Sequence, residues 1–457
     1  MADQRLAASQ YASRNKDQFL TTLNDILVIP SISTDPDRLA DMAKAAEWMA
    51  GQLRGLGMKN IKVFPTSKHP IVYGEWLENP GAPTVLIYGH YDVQPADPLD
   101  LWKSPPFEPT RRGDNLYARG ASDMKGQVVA VFKALEAIAQ NGGLPVNVKW
   151  LLEGEEEIGS PSLEGFIDQN KTLLTSDFCL NPDSGMIGAD APSITYALRG
   201  LAYFELWVYS AEHDLHSGLF GGVARNPANA LAALIAGMHD EYGRVTLPGF
   251  YDKVRELSAE ERAQMARLPI EEKDYLDQTG ARALYGEAGY TTVERVGARP
   301  TLDVNGMLAG FTGAGSKTVI PAMAMAKIST RLVPDQDPQD VHQQMLAYLE
   351  AHAPKDIRWE LDAMQGSKAS ISNLDNIGVK ALEKALETAW GRKPYFKREG
   401  GSVPVVIKIQ ETLGIESVLT GFGLPDDNLH APNEKLHLPT WYKGIDALIH
   451  FFMNLAE

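Results

Sequence analysis

The hydrophobic pattern divides the chain into three stretches of different texture. From Asp17 to Val28 the residues Phe19, Leu20, Leu23, Ile26 and Leu27 recur on one helical stripe, which Pro30 stops. Asp35-Pro36 reads as an N-cap followed by a first helical proline. Leu39, Met42, Ala46, Met49, Leu53 and Leu56 then follow at helical spacing as far as Gly57. Thr84 to Tyr88 is a short unbroken apolar run, predicted as a buried strand, and Val146 to Leu152 and Phe178 to Leu180 read the same way. Helices are predicted over Lys125 to Gln140 and Ser162 to Gln169. This alternation predicts an α/β domain with a mostly parallel sheet.

Near residue 199 the pattern changes. Leu201 to Tyr209 and Ala324 to Val333 alternate like strands with one wet face. Asn226-Pro227 and Asp337-Pro338 open helices, and Ser258-Ala259-Glu260-Glu261 reads as a capping box. Half-solvated strands with helices predict an α+β domain on an antiparallel sheet. Near residue 372 the first texture returns, with a helix from Asp375 to Trp390, a strand over Ser417 to Thr420 and a last helix from about Thr440 to Ala456. The expected organisation is an α/β domain over residues 1–198 and 372–457, interrupted by an inserted α+β domain over residues 199–371.

Composition narrows the partners. The 457 residues carry a formal net charge of −16, which disfavours nucleic acid and anionic membrane as default partners. There is a single cysteine, Cys179, so an intrachain disulfide is impossible. The start of the chain is polar and mixed in charge, with no apolar signal core, and no stretch reaches the roughly 18 apolar residues of a membrane span. A cytoplasmic location is expected.

The candidate chemistry sits just after predicted strands. His90 and Asp92 follow Thr84–Tyr88, Glu153 to Glu157 follow Leu151-Leu152, Asp183 follows Phe178–Leu180, and His430 lies after Ser417–Thr420. Asp123 precedes the Lys125 helix. In an open α/β sheet, ligands bind at the carboxyl ends of the strands, so these groups can converge. Carboxylates with a minority of imidazoles suit Zn²⁺ or Mn²⁺. Two close cations need a bridging carboxylate, and a carboxylate left over can accept a proton from water. Singly, each residue has a plainer reading: a helix cap for Asp123, a turn for Asp183, a loop histidine for His430, a solvated face for Glu153 to Glu157. A glycosidase would also use paired carboxylates, but would need neither His90 nor His430.

Several motifs together resemble a known family. They are Gly89-His90-Tyr91-Asp92-Val93-Gln94-Pro95, Gly120-Ala121-Ser122-Asp123-Met124-Lys125-Gly126, Glu153-Gly154-Glu155-Glu156-Glu157, Asp214-Leu215-His216-Ser217-Gly218, Lys317-Thr318-Val319-Ile320-Pro321, Arg398-Glu399-Gly400-Gly401-Ser402 and Leu429-His430-Ala431-Pro432-Asn433-Glu434. In order and spacing they are similar to the dinuclear metallohydrolases that include cytosolic non-specific dipeptidase, carnosine dipeptidase, succinyl-diaminopimelate desuccinylase and acetylornithine deacetylase. The dipeptidase branch matches best, although Met124 stands where that branch often has a second Asp.

The resemblance implies two divalent metal ions per subunit, Zn²⁺ first and Mn²⁺ second. His90, Asp123 and Asp183 would bind one ion, and Asp123, Glu157 and His430 the other. Glu156 would be the general base, Asp92 would orient His90, and Asp123–Met124 would be a cis peptide. The inserted domain would be a lid that forms a homodimer, with His216 and Thr318 acting on the partner's site. Arg331, Ser402 and the Gly400-Gly401 backbone would hold the free carboxylate of a small peptide. Read from the residues alone, His216 could equally be a helix cap or loop residue and Arg331 a strand-surface charge. The implied reaction is amide hydrolysis of dipeptides or very short peptides, with an N-acyl amino acid deacylase of the same fold as the alternative.

Overall fold

A computed structural model describes residues 2–401 and 403–457. The chain forms two compact units, one of residues Met1–Tyr196, Ser372–Lys397 and Lys408–Glu457, the other of Ala197–Ile371 and Arg398–Ile407.

The first unit is built on a mixed sheet. Six of the sheet's strands lie in the order Lys59–Phe64, Ile71–Trp76, Asn147–Glu153, Thr84–His90, Phe178–Asn181 and Ser417–Leu419, and Ser193–Leu198 follows antiparallel to the last. Asn147–Glu153, Thr84–His90, Phe178–Asn181 and Ser417–Leu419 run parallel to one another, and the first two strands are antiparallel additions at one side. Asn147–Glu153 is buried along its whole length, as a strand covered on both faces must be. The Lys125–Ala139 helix is buried almost all round, and Ala2–Arg14, Lys16–Leu27, Leu39–Gly55, Ile377–Trp390 and Leu438–Asn454 complete the helical cover. Phe132, Trp150, Trp441 and Phe452 sit in one continuous apolar core. Gly126 lets the turn before the Lys125 helix fold back, because a Cβ there would lie 2.0 Å from the Ala121 carbonyl oxygen. That turn carries Asp123.

Asp35 caps as the sequence predicts, accepting the Asp37 N–H, but it opens a short 3₁₀ turn, Pro36–Arg38, ahead of the Leu39–Gly55 helix. Several elements escaped the periodicity. Ala2–Arg14 is a polar helix with only Ala8 and Ala12 buried, and the antiparallel pair Lys59–Phe64 and Ile71–Trp76 lies at the sheet margin, where Lys59–Phe64 is mostly exposed.

The second unit is an antiparallel sheet in the order Thr301–Ala309, Met323–Leu332, Gly200–Tyr209, Arg358–Ser367. Gly200–Tyr209 alternates buried and half-buried residue by residue. Its Phe204, Leu206 and Val208 pack with Leu231 and Leu234 of the Pro227–Ala236 helix and Val341 and Met345 of the Pro338–His352 helix. Both helices start as expected: Asn226 accepts the Ala228 N–H and Asp337 the Gln339 N–H, each at 2.9 Å. The expected capping box at Ser258 is only half made. Ser258 accepts the Glu261 N–H at 3.1 Å, but the Glu261 carboxylate is taken by Arg398, a charge-assisted pair stronger than the return bond of a capping box. The edge strand Thr301–Ala309 and its surroundings leave Val304, Met307, Leu308 and Phe311 exposed. Among the described residues, no helix is long and apolar enough to cross a membrane.

Candidate metal centre

Seven of the residues singled out above lie in the first unit and come together at the carboxyl ends of its strands. His90 ends Thr84–His90, directly beside Glu153, which ends the neighbouring strand. Asp183 follows Phe178–Asn181, its N–H tied back to Asn181 Oδ1 at 2.9 Å. Asp123 stands between the two histidines. Its Oδ1 is 3.2 Å from His90 Nε2 and its Oδ2 is 2.9 Å from His430 Nε2. Asp183 Oδ2 lies 3.9 Å from His90 Nε2, and Glu157 Oε2 lies 3.3 Å from His430 Nε2. Ligand atoms of His90, Asp123 and Glu157 all fall within 4.8 Å of one another. The Asp123–Met124 peptide is cis, and the Asp123 side chain does not cap the Lys125 helix.

The run Glu153 to Glu157 is not a solvated face. Glu153 is buried and accepts from Tyr88 Oη at 2.6 Å and Ser160 Oγ at 2.9 Å. Glu155 is buried as well, accepting the N–H groups of His69 and Ser162 at 2.8 Å each. Only Glu156 and Glu157, on a short 3₁₀ turn, belong to the charged cluster. Asp92 does two things. Its Oδ1 lies 3.3 Å from His90 Nδ1, and its carboxylate accepts the N–H groups of Glu156 at 3.3 Å and Glu157 at 3.1 Å. Gln94, which stands in the His90 motif without a role of its own there, donates to Glu157 Oε2 at 2.8 Å.

So many acids in one place repel. Burial and then Asp123 push Glu157 up to about 8. Glu156 and Asp183 are raised too, mainly by burial. Asp123 goes the other way: burial opposes ionisation, but the two imidazoles beside it win and hold it below the usual carboxylate range. Asp123 and Glu157 lift His430 to about 9, Asp123 being the larger influence. His90 Nε2 is buried and makes no well-formed hydrogen bond among the described residues. A buried imidazole nitrogen aimed between two carboxylates, with three further acids and a second imidazole around it, is a donor set for divalent cations.

The remaining predicted residues lie in the second unit. His216 pairs with Val319 across a two-residue ladder, which sets it beside Thr318, whose carbonyl accepts the Ser217 N–H at 3.1 Å. Both side chains are exposed, and His216 Nδ1 accepts the Gly218 N–H at 3.0 Å, as a cap of the short turn that follows. Arg331 is half-buried and lines a cavity of about 330 Å³ together with Arg199. Burial and then the Arg331 charge pull Arg199 down to about 10. Arg199 also donates its N–H to the Gly401 carbonyl at 3.2 Å and its Nε to that of Gly400 at 3.2 Å. Nothing in the sequence pattern marks Arg199, which follows a buried strand like any surface arginine. Ser402 lies outside the described residues.

Residues 86–454 match the family described as Peptidase family M20/M25/M40. The chain belongs to this family. It is 31% identical over 468 aligned residues to the Beta-Ala-His dipeptidase of Homo sapiens, covering 98% of this chain and 92% of that protein. It is 32% identical over 467 to the Cys-Gly metallodipeptidase dug1 of Schizosaccharomyces pombe, covering 97% of each. Among solved structures, the M20 family metallo-carboxypeptidase Sso-CP2 of Sulfolobus solfataricus superposes with a TM-score of 0.85 at 35% identity, over 96% of this chain and 99% of that one. The protein is therefore a peptidase of the M20 type, and the acid and histidine cluster lies within the matched region.

Proposed function

We propose that this protein is a metal-dependent dipeptidase whose site holds two divalent cations, Zn²⁺ or Mn²⁺. The observation that carries the reading is Asp123, which turns one carboxylate oxygen to His90 and the other to His430. His90, Asp123 and Asp183 would hold one cation, and Asp123, Glu157 and His430 the other. When bound, such cations lower the pKa of water and polarise an amide carbonyl.

The chain's own residues supply the rest. Glu156 removes the proton from the attacking water and returns it to the departing amine, a role that suits a carboxylate lifted above its ordinary range. Asp92 fixes the His90 ring and the turn that bears Glu156. In the second unit, acting as a lid, Arg331, Gly401 and Ser402 would hold the substrate's free carboxylate, with Arg199 steadying the Gly400-Gly401 backbone. The exposed apolar side chains Val304, Met307, Leu308 and Phe311, on and beside the edge strand Thr301–Ala309, support a homodimer contact there. Through that dimer, His216 and Thr318 would reach the partner's site, with His216 stabilising the oxyanion. A cytoplasmic site of action fits a chain whose one cysteine, Cys179, is a buried free thiol.

The relatives named for Beta-Ala-His and Cys-Gly dipeptides support this substrate class. The Sulfolobus relative, named a metallo-carboxypeptidase, supports a second reading in which one C-terminal residue leaves a longer peptide. Turnover of a dipeptide panel, matched longer peptides and N-acetyl and N-succinyl amino acids by Zn²⁺- or Mn²⁺-loaded protein decides the matter. Chelator-sensitive hydrolysis highest on dipeptides supports the proposal. Preference for the N-acyl compounds, or activity that survives metal removal, refutes it.

A further inference from the structure

The segment that carries His430 is held in an unfavourable backbone. Asn428, His430 and Asn433 all have positive φ, at 56°, 59° and 63°, where L-residues with side chains are rarely found. Such a loop persists only when its surroundings over-determine it. Asn433 supplies two ties, donating to the Leu101 carbonyl at 2.8 Å and accepting the Lys103 N–H at 2.9 Å. Glu434 supplies more. It is fully buried, and its Oε1 accepts the N–H groups of Ser122 at 2.9 Å and Asp123 at 3.1 Å. Its Oε2 accepts the Gly120 N–H at 2.9 Å and Arg119 Nη1 at 2.8 Å.

We propose that Glu434 is the positioning residue that locks the Asp123 turn to the His430 loop and so presets the second cation site. The inference rests on the two-cation reading above. Four donors converge on one carboxylate, three of them backbone N–H groups of the turn that ends in Asp123. The other end of the same side chain is four residues from His430. Glu434 thus joins the shared ligand to a ligand that stands on a loop with strained backbone. His90 and Asp183 need no such joint, since each follows directly from a strand of the sheet. A glutamine in place of Glu434 offers one acceptor oxygen and turns an NH₂ group against two donors. The asymmetry follows: loss of Glu434 should loosen the site containing His430 far more than the site containing His90.

Titration of metal-free wild type, Glu434→Gln and Glu434→Asp with Mn²⁺, by calorimetry and electron paramagnetic resonance, tests this below the melting temperature of each. Wild type should take two equivalents and show the spectrum of a coupled pair. Glu434→Gln should keep the first equivalent near its wild-type affinity, weaken the second by about 10- to 100-fold and show an uncoupled ion at one equivalent. Glu434→Asp, which keeps the charge and is one methylene shorter, should show the same asymmetry in milder form, and it carries the test if the glutamine variant does not fold. Wild-type affinity for both equivalents in the variants overturns the proposal, as does equal weakening of both in step with a fall in melting temperature. A wild type that binds no Mn²⁺ or Zn²⁺ instead removes the two-cation reading itself, and the inference with it.

Discussion

The carboxylate of Asp92 accepts the backbone N–H of Glu157 at 3.1 Å. One buried side chain thereby connects the strand that ends in His90 to the turn that bears Glu156 and Glu157. Asp92→Ala removes an acceptor from two backbone donors and a partner from the His90 ring at once. It should weaken metal binding by about 10- to 100-fold and lower kcat, as losses behind a ligating histidine do. Metal titration of the purified variant checks this, and unchanged affinity would assign Asp92 no orienting role.

Glu156 answers to a different measurement. Glu156→Gln preserves shape and should leave both cations bound, while kcat falls by roughly 10²–10⁴ or more, the range of general acid–base catalysis. Metal content and steady-state rates on the same preparation separate the two effects. Near-normal turnover would pass the proton-transfer role to another group.

The raised acids give the metal-free protein a pH signature. Glu157 titrates near 8 in the fold against an ordinary 4.5, so across that interval the folded chain holds a proton that the unfolded chain has lost. His430, at about 9 against 6.5, behaves the same way at higher pH. Stability then falls as pH rises wherever the native state binds more protons. Asp123 is depressed and already ionised in both states above pH 6, so it adds no slope there. The melting temperature of metal-free protein should therefore drop from pH 6 to pH 8.5. Added Mn²⁺ or Zn²⁺ should restore most at the alkaline end, with net proton release on binding near pH 7. A flat profile, or a larger metal effect at acid pH, would contradict the charge balance of the cluster.

The proposed action of His216 across a dimer is tested by mixing. His216→Ala and Glu156→Gln should each be inactive alone. Co-refolded heterodimers should regain activity, because one of their two sites combines an intact Glu156 with the partner subunit's intact imidazole. Failure to recover any activity would confine His216 to the local cap that it makes with Gly218.

Much of this site was legible in the sequence, for a physical reason. Buried parallel strands read as short apolar runs, and the polar residues just beyond them mark the ends where an open sheet binds ligands, which placed His90, Asp183 and the glutamate run. What periodicity could not separate was the run itself: Glu153 and Glu155 are consumed by local donors, and only packing distinguishes them from Glu156 and Glu157. Glu434 stands in the His430 motif, but its role was not legible for a similar reason, since its donors come from residues more than 300 positions away. The Thr301–Ala309 strand was missed because it lies at an edge with most side chains exposed, so no alternation is imposed on it.

Anomalous diffraction from crystals of the Mn²⁺-loaded protein tests the central claim most directly. The account predicts two peaks, one on either side of the Asp123 carboxylate, the first against His90 and Asp183 and the second against Glu157 and His430. A single peak, or two peaks that do not share Asp123, would contradict it.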